Sequence, residues 1–128
     1  IEQPLPRGGD AELEGYEPPI PLCADESCLH TKEFDQASRR YQMINIKLDK
    51  TGGLTEALDL AALAQAHGIG LMVGNMVGTS LAMAPGYVIA QLCRFVDLDG
   101  ALFLKQDRKH PMACHGGVIE PPSPALWG

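Results

Sequence analysis

The sequence predicts an α/β fold built on a parallel sheet, and three observations carry that prediction. Short apolar runs alternate with helical patterns through the middle of the chain. The runs recur at the pitch of βα units, whose crossovers make neighbouring strands parallel. Proline, which interrupts regular elements, is confined almost entirely to the ends: five of the ten precede Leu22, four lie from Pro111 onward, and only Pro85 stands between.

Each element follows from local pattern. Leu22-Cys23-Ala24 is a short strand, entered after Pro21 and ended by Asp25-Glu26-Ser27. Lys32 to Tyr41 places Phe34, Ala37 and Tyr41 on one side of an amphipathic helix. Met43 to Lys47 is the next strand. Leu54 to His67 is the strongest helix, with Thr51 or Thr55 as its cap and Leu54, Leu58, Ala61 and Gln65 along one side. Gly68 stands where a left-handed C-terminal cap belongs. Ile69 to Val73 is a buried strand. Thr79 to Cys93 is a helix in which Pro85 must lie in the first turn or cause a kink. Arg94 to Leu98 is the last strand, and both chain ends are expected to run as extended segments and turns. Periodicity leaves an open doubly wound sheet and a closed barrel equally available.

Composition narrows the class. The 128 residues are 45% hydrophobic and 20% charged, a globular balance, with aromatics at 5% and therefore an aliphatic core. A formal net charge of −6 disfavours nucleic acid or an anionic membrane as partner. No apolar run approaches a membrane span and no secretory leader opens the chain, so Cys23, Cys28, Cys93 and Cys114 are expected as reduced thiols of a cytoplasmic protein.

Parallel sheets gather functional side chains at the C-terminal ends of their strands. The polar residues there are Glu2, Asp25, Lys47, Asn75, and the pair Asp97 and Asp99. Glu2 and Asp25, from adjacent strands, suit a hard divalent cation such as Mg²⁺. Lys47 stands beside them, where burial would lower its pKa towards that of a general base while a nearby carboxylate pulls the other way. A base beside a metal-bound carboxylate can remove the proton α to it, the metal stabilising the enediolate.

At these residues the sequence resembles the enolase superfamily, muconate-lactonising subgroup. The matching stretches are Ile1-Glu2-Gln3-Pro4, Ala24-Asp25-Glu26-Ser27, Ile46 to Gly53, Gly74 to Ser80, and Val96 to Gly100. The resemblance implies strands 4–8, the C-terminal half, of a (β/α)₈ TIM-type barrel. The capping domain, the first barrel strands, one further metal carboxylate and the paired lysines would be absent. Residues 1–104 would be partial barrel, and 105–128 a tail that packs back towards the capping domain. Glu2 and Asp25 would be metal carboxylates, Glu26 their outer partner and Lys47 the acid/base, with Asp49 and Lys50 serving the loop. Asp97 and Asp99 resemble the pair that binds a substrate α-ammonium in the dipeptide epimerase branch. Asn75 and Met76 fall where the subgroup often has Cys-Met, among the substrate contacts.

The implied activity is 1,1-proton transfer on a small dipeptide, with o-succinylbenzoate synthase or N-succinylamino acid racemase as alternatives acting on an N-acyl substrate. With one acid/base of two, the chain is expected to be inactive alone. It would require its missing N-terminal half, or else be a non-catalytic fragment that self-associates. Three other features have plainer readings. Cys23, Cys28, His30, His110, Cys114 and His115 could in principle close a zinc site, but buried cysteine is common core filler. Gly52-Gly53 is a turn feeding a helix rather than a phosphate loop. Met72, Met76 and Met83 read as packing, and Lys105 to Lys109 as solvated surface.

Overall fold

A computed structural model describes residues 1–128. Strand β1 (Cys23–Ala24) is followed by the one-turn helix α1 (Phe34–Ala37) and by β2 (Met43–Lys47). A single turn, α2 (Leu48–Thr51), leads into the long helix α3 (Leu54–Ala66) and then β3 (Gly70–Gly74). Helix α4 (Ser80–Ala90) and β4 (Phe95–Val96) complete the series. Every pair in the sheet is parallel and the order β1-β2-β3-β4 is that of the sequence. Residues 1–3 add a fifth parallel segment: Cys23 N donates to the Ile1 carbonyl and Gln3 N to the Cys23 carbonyl, both at 2.8 Å.

That order settles the choice that periodicity left open. A doubly wound sheet reverses its strand order at a switch point and carries helices on both faces. Here the order never reverses and the helices share one core with one face of the sheet. Ile44, Ile46, Leu71 and Val73 pack under Ala57, Leu60, Ala61 and Ala64 of α3 and Ile89 of α4. The other face carries the alternate residues, and Cys23, Met43, Met72 and Phe95 line a hollow of about 350 Å³ there with Ile1 and Glu2. This is an arc of a singly wound barrel seen from its helix-covered outside and its inner face.

Several elements differ from their sequence patterns. The expected helix over 32–41 is a 3₁₀ turn (Thr31–Glu33), then α1, then further turns. Phe34, Ala37 and Tyr41 are nevertheless buried, because spacing by turns brings the same side chains inward. Helix α3 starts at Gly53, φ 141°, without a side-chain cap from Thr51 or Thr55; the Thr51 hydroxyl bonds the Gly53 carbonyl instead. Its buried stripe is Ala57, Leu60, Ala61 and Ala64, whereas Leu58 and Gln65 face outward. In a leucine- and alanine-rich helix several stripes are apolar enough, and the groove over β2 and β3 selects the slimmest. The C-terminal end does follow its pattern: Gly68 has φ 69°, and Gly68 N and Ile69 N bond the carbonyls of Gln65 and Ala64 in a Schellman arrangement.

Strand β3 is shifted one residue, ending at Gly74. Helix α4 is shorter than expected, and Pro85 sits in its second turn, where it removes the N–H that would bond the Leu81 carbonyl. Gly86 beside it lets α4 approach Leu98, since a Cβ there would lie 3.1 Å from Leu98 Cδ2. Strand β4 is only two residues long, although Arg94 N and Asp97 N still bond β3 on either side. The tail is more ordered than extended segments and turns. A 3₁₀ helix (Gly100–Phe103) leads to a hairpin of β5 (Cys114–His115) and β6 (Val118–Ile119), turned by Gly116-Gly117 with φ 59° and 81°. It docks on α4 through Asp107, which accepts from Ser80 N at 3.0 Å and Ser80 Oγ at 2.5 Å.

The buried stripe of α3 is directly testable. Leu60→Ala is expected to cost about 2–5 kcal/mol in urea unfolding, and Leu58→Ala less than about 0.5 kcal/mol. Equal losses would restore the stripe through Leu58.

Candidate active site

The strand ends assemble a charged cluster on the inner face. Two residues apart on β2, Asn45 and Lys47 point inward, and Gly74 lies opposite Lys47 in the register of β3. A Cβ on Gly74 would stand 2.9 Å from both Asn45 Nδ2 and Lys47 Cε, so glycine leaves the channel in which the lysine stem lies. Lys47 Nζ donates to Asp25 Oδ2 at 2.7 Å and lies 3.6 Å from Glu2 Oε1. Glu2 Oε1 also accepts from Asn45 Nδ2 at 2.7 Å. Asp25, only 5% exposed, is held on its other oxygen by Lys50 Nζ at 2.5 Å, and Lys50 continues to Glu26 at 3.2 Å.

Sequence reasoning missed Lys50, which was assigned to the loop. Its signal was there: α2 follows β2 without a break, so a residue three beyond Lys47 turns back over the same strand end. Asp49 does serve a loop, accepting weakly from Met76 N at 3.4 Å.

The electrostatics decide between the two pulls expected on Lys47. Burial alone would lower the Lys47 pKa, but the hydrogen bond and charge of Asp25, with Glu2 and Glu26 behind it, outweigh burial and raise it. Asp25 shifts the opposite way: burial would raise its pKa, but the bonds from Lys47 and Lys50 hold it below the ordinary value. Lys47 in this arrangement is an ammonium, not a base.

Asp97 and Asp99 stand at the end of β4, exposed and close enough to interact. Partial burial and the neighbouring Asp99 carboxylate raise the Asp97 pKa, while Lys47 pulls it down from across the sheet. Asn75 and Met76 occupy the intervening loop. The Asn75 amide turns onto the Met76 carbonyl at 2.7 Å and packs against Gly100, where a Cβ would come within 2.0 Å of Nδ2. Met76 is exposed, Met83 is buried, and Met72 lines the inner hollow.

Glu2 and Asp25 fit a hard divalent cation. Their oxygens, from adjacent strands, already converge on one positive charge, the Lys47 ammonium. Mg²⁺ asks the protein for one or two carboxylates and leaves its other positions to water and substrate. No group of three or more His, Cys, Asp or Glu side chains forms a larger ligand set. Of the cysteines, Cys23 and Cys28 are buried, which pushes both thiols up to about 12, and Cys114 and His115 belong to the hairpin. No helix is long and apolar enough to cross a membrane.

Comparison with known proteins gives the family. Residues 1–125 match the family model described as enolase C-terminal domain-like. The chain belongs to that family. It is 52% identical over all 128 residues to an N-acetyl-D-glutamate racemase of Pseudoalteromonas sp, covering 41% of that protein. A solved enolase family member from Agrobacterium tumefaciens, with homology to dipeptide epimerases and with bound sodium and L-Ala-L-Glu, superposes with a TM-score of 0.96 at 52% identity. The match covers 100% of this chain and 39% of that one. A dipeptide epimerase from Methylococcus capsulatus, complexed with Mg and L-Arg-D-Lys, gives a TM-score of 0.86 at 32% identity over 94% of this chain and 37% of its own. The chain thus spans about two-fifths of the length of these relatives. Within the enolase C-terminal family fold, it is a parallel segment of the barrel's C-terminal half.

Behind the site lies a buried acid that composition did not reveal. Asp10 is 2% exposed, paired with Arg40 Nη1 at 2.7 Å and accepting from Tyr41 Oη at 2.9 Å. Burial alone would raise its pKa, but hydrogen bonds from Ser27 and Tyr41, with the Arg40 charge, hold it below the ordinary value. Its stabilisation is therefore complete above the unfolded pKa of about 3.9 and lost as pH falls through the lower folded value. Asp10→Asn is expected to reduce the urea midpoint at neutral pH and to flatten its fall between about pH 5 and pH 2. An acid limb as steep as that of the parent would contradict this account.

Proposed function

We propose that this chain is the C-terminal part of an Mg²⁺-dependent enzyme that inverts the carbon α to a carboxylate in a small dipeptide, by 1,1-proton transfer. The observation that carries the reading is Lys47 Nζ, held between Glu2 and Asp25 at the inner edge of the sheet. A movable proton and a cation-binding carboxylate pair thus stand side by side.

Glu2 and Asp25 would hold the divalent cation, whose chemistry is to neutralise the charge that builds on the substrate carboxylate as its α-proton leaves. Lys47 moves that proton at Nζ. While Asp25 and Glu2 face it, Lys47 can only donate. Once those carboxylates are engaged elsewhere, burial acts on it unopposed and lowers its pKa towards that of a base. Lys50 and Glu26 steady the far side of Asp25. Asp97 and Asp99, across the arc, offer two carboxylates to an α-ammonium, which relieves their mutual repulsion.

One observation favours a second substrate class. The 52%-identical Pseudoalteromonas protein is named for N-acetyl-D-glutamate, whose nitrogen carries no charge. On that reading Asp97 and Asp99 would not be ammonium ligands, and the reaction at Lys47 would be the same.

Inversion delivers a proton to the face opposite the one it left, and this chain offers Lys47 as its one acid/base, Lys50 being committed to Asp25 and Glu26. The purified 128-residue chain is expected to leave L-Ala-L-Glu configurationally unchanged in Mg²⁺ buffer, judged by chiral chromatography. Racemisation by the chain alone would refute that division of labour. Joined to the N-terminal portion of the Pseudoalteromonas racemase, the chain should support turnover, and Lys47→Met should abolish it. In the same chimera, Asp97→Asn with Asp99→Asn is expected to lower kcat/KM for L-Ala-L-Glu about 100-fold while sparing N-acetyl-D-glutamate. Equal losses on both substrates would remove the ammonium role.

A further inference from the structure

We propose that Gln3 is the positioning residue that sets where the Asp25 carboxylate stands relative to Glu2. The inference deepens the reading of Glu2 and Asp25 as cation ligands and rests on it.

Gln3 has φ 36°, a left-handed backbone uncommon for any residue but glycine. Pro4 follows it and should bias it towards an extended conformation. Such a conformation persists only where its surroundings over-determine it, and here the side chain does so. Gln3 Oε1 accepts from Asp25 N at 2.9 Å and Ser27 N at 3.1 Å. Gln3 Nε2 faces the Leu5 carbonyl at 2.6 Å, Ser27 Oγ at 2.9 Å and Tyr41 Oη at 3.0 Å.

The orientation of the Gln3 amide is forced. Backbone N–H groups can only donate, so Oε1 must face Asp25 and Ser27 and the amide cannot be flipped. Of the two Nε2 hydrogens the Leu5 carbonyl takes one, and the Ser27 and Tyr41 hydroxyls share the other. The Tyr41 hydroxyl in turn donates to Asp10 Oδ2 at 2.9 Å. Asp10 accepts on both oxygens, from Arg40 and from Tyr41, as a carboxylate does, and Arg40 balances its charge. One side chain therefore ties the segment bearing Glu2 to the loop bearing Asp25. Nothing else on that loop bonds the Asp25 N–H.

The consequence is a fixed spacing of the two carboxylates, which cation affinity reads and simple stability does not. In the full chain, Mg²⁺ titration followed at the Asp25 and Lys47 amide signals gives the dissociation constant. Gln3→Met, which keeps the length and loses every bond, is expected to weaken Mg²⁺ about tenfold or more. Tyr41→Phe, which loses the hydroxyl's bonds to Gln3 and Asp10 but keeps both bonds that Gln3 Oε1 accepts, should lower Tm but leave Mg²⁺ affinity within about twofold. Gln3→Glu, which retains the acceptor for Asp25 and Ser27, should not weaken binding, and it serves if Gln3→Met does not fold. Unchanged affinity in Gln3→Met, a tenfold loss in Gln3→Glu, or a loss in Tyr41→Phe as large as in Gln3→Met would overturn the proposal. If the parent chain binds no Mg²⁺, the cation reading of Glu2 and Asp25 falls. Positioning is then judged on amide exchange at Asp25, which Gln3→Met should accelerate about tenfold over Tyr41→Phe; equal rates would end it.

Discussion

Strand β2 has no side facing water, and the rest of the molecule is arranged around that constraint. Ile44 and Ile46 are fully buried on the helix side, while Met43 and Asn45 are nearly as buried on the other. A strand enclosed on both faces needs a covering layer outside and a shielded space inside. Helices α3 and α4 supply the first. The inward curl of five parallel segments supplies the second, and alternation along the strand then assigns each residue its task. Even-numbered side chains hold the fold together, and odd-numbered ones line the inner face up to Lys47.

The charged cluster is stable because its members are paired rather than because they are exposed. Lys47 and Asp25 are each largely removed from water, and either alone would be a costly buried charge. Together with Lys50, Glu2 and Asn45 they satisfy one another, leaving Asn45 Oδ1 as a buried acceptor without a partner. The same pairing that makes the cluster tolerable keeps Lys47 protonated. Stability of the cluster and the readiness of Lys47 as a base are therefore opposed, and on the proposed reading a cation shared by the carboxylates would reconcile them. Asp97 and Asp99 show the opposite imbalance: partial burial and the neighbouring Asp99 carboxylate raise the Asp97 pKa.

Much of this was legible in the residues. Strand β2 matched its apolar run residue for residue, and Gly68 marked the end of α3 because only a left-handed cap suits it. Glu2, Asp25, Lys47 and Asp97 could be placed on one edge because βα units deliver strand ends there whatever the detailed packing. Boundaries fared worse where competing patterns were equally good. Leu54 and Leu58 made as plausible a stripe as Leu60 and Ala64, and only the groove over β2 and β3 distinguishes them. The hairpin at Gly116-Gly117 carried a usable turn signal that the surrounding prolines obscured.

What the sequence alone determined is the alternation of strands and helices, the polar residues at the strand ends and the family they resemble. These depend on local period and residue type, which a linear chain records. Only the tertiary structure decided that the sheet is singly wound, that Lys50 shares Asp25 with Lys47, and that Lys47 is held as an ammonium. The same holds for Gln3, whose partners lie as many as 38 residues away. Its conformation runs against the bias that Pro4 imposes. Charge balance and hydrogen-bond direction are properties of groups brought together in space, and no spacing along the chain states them.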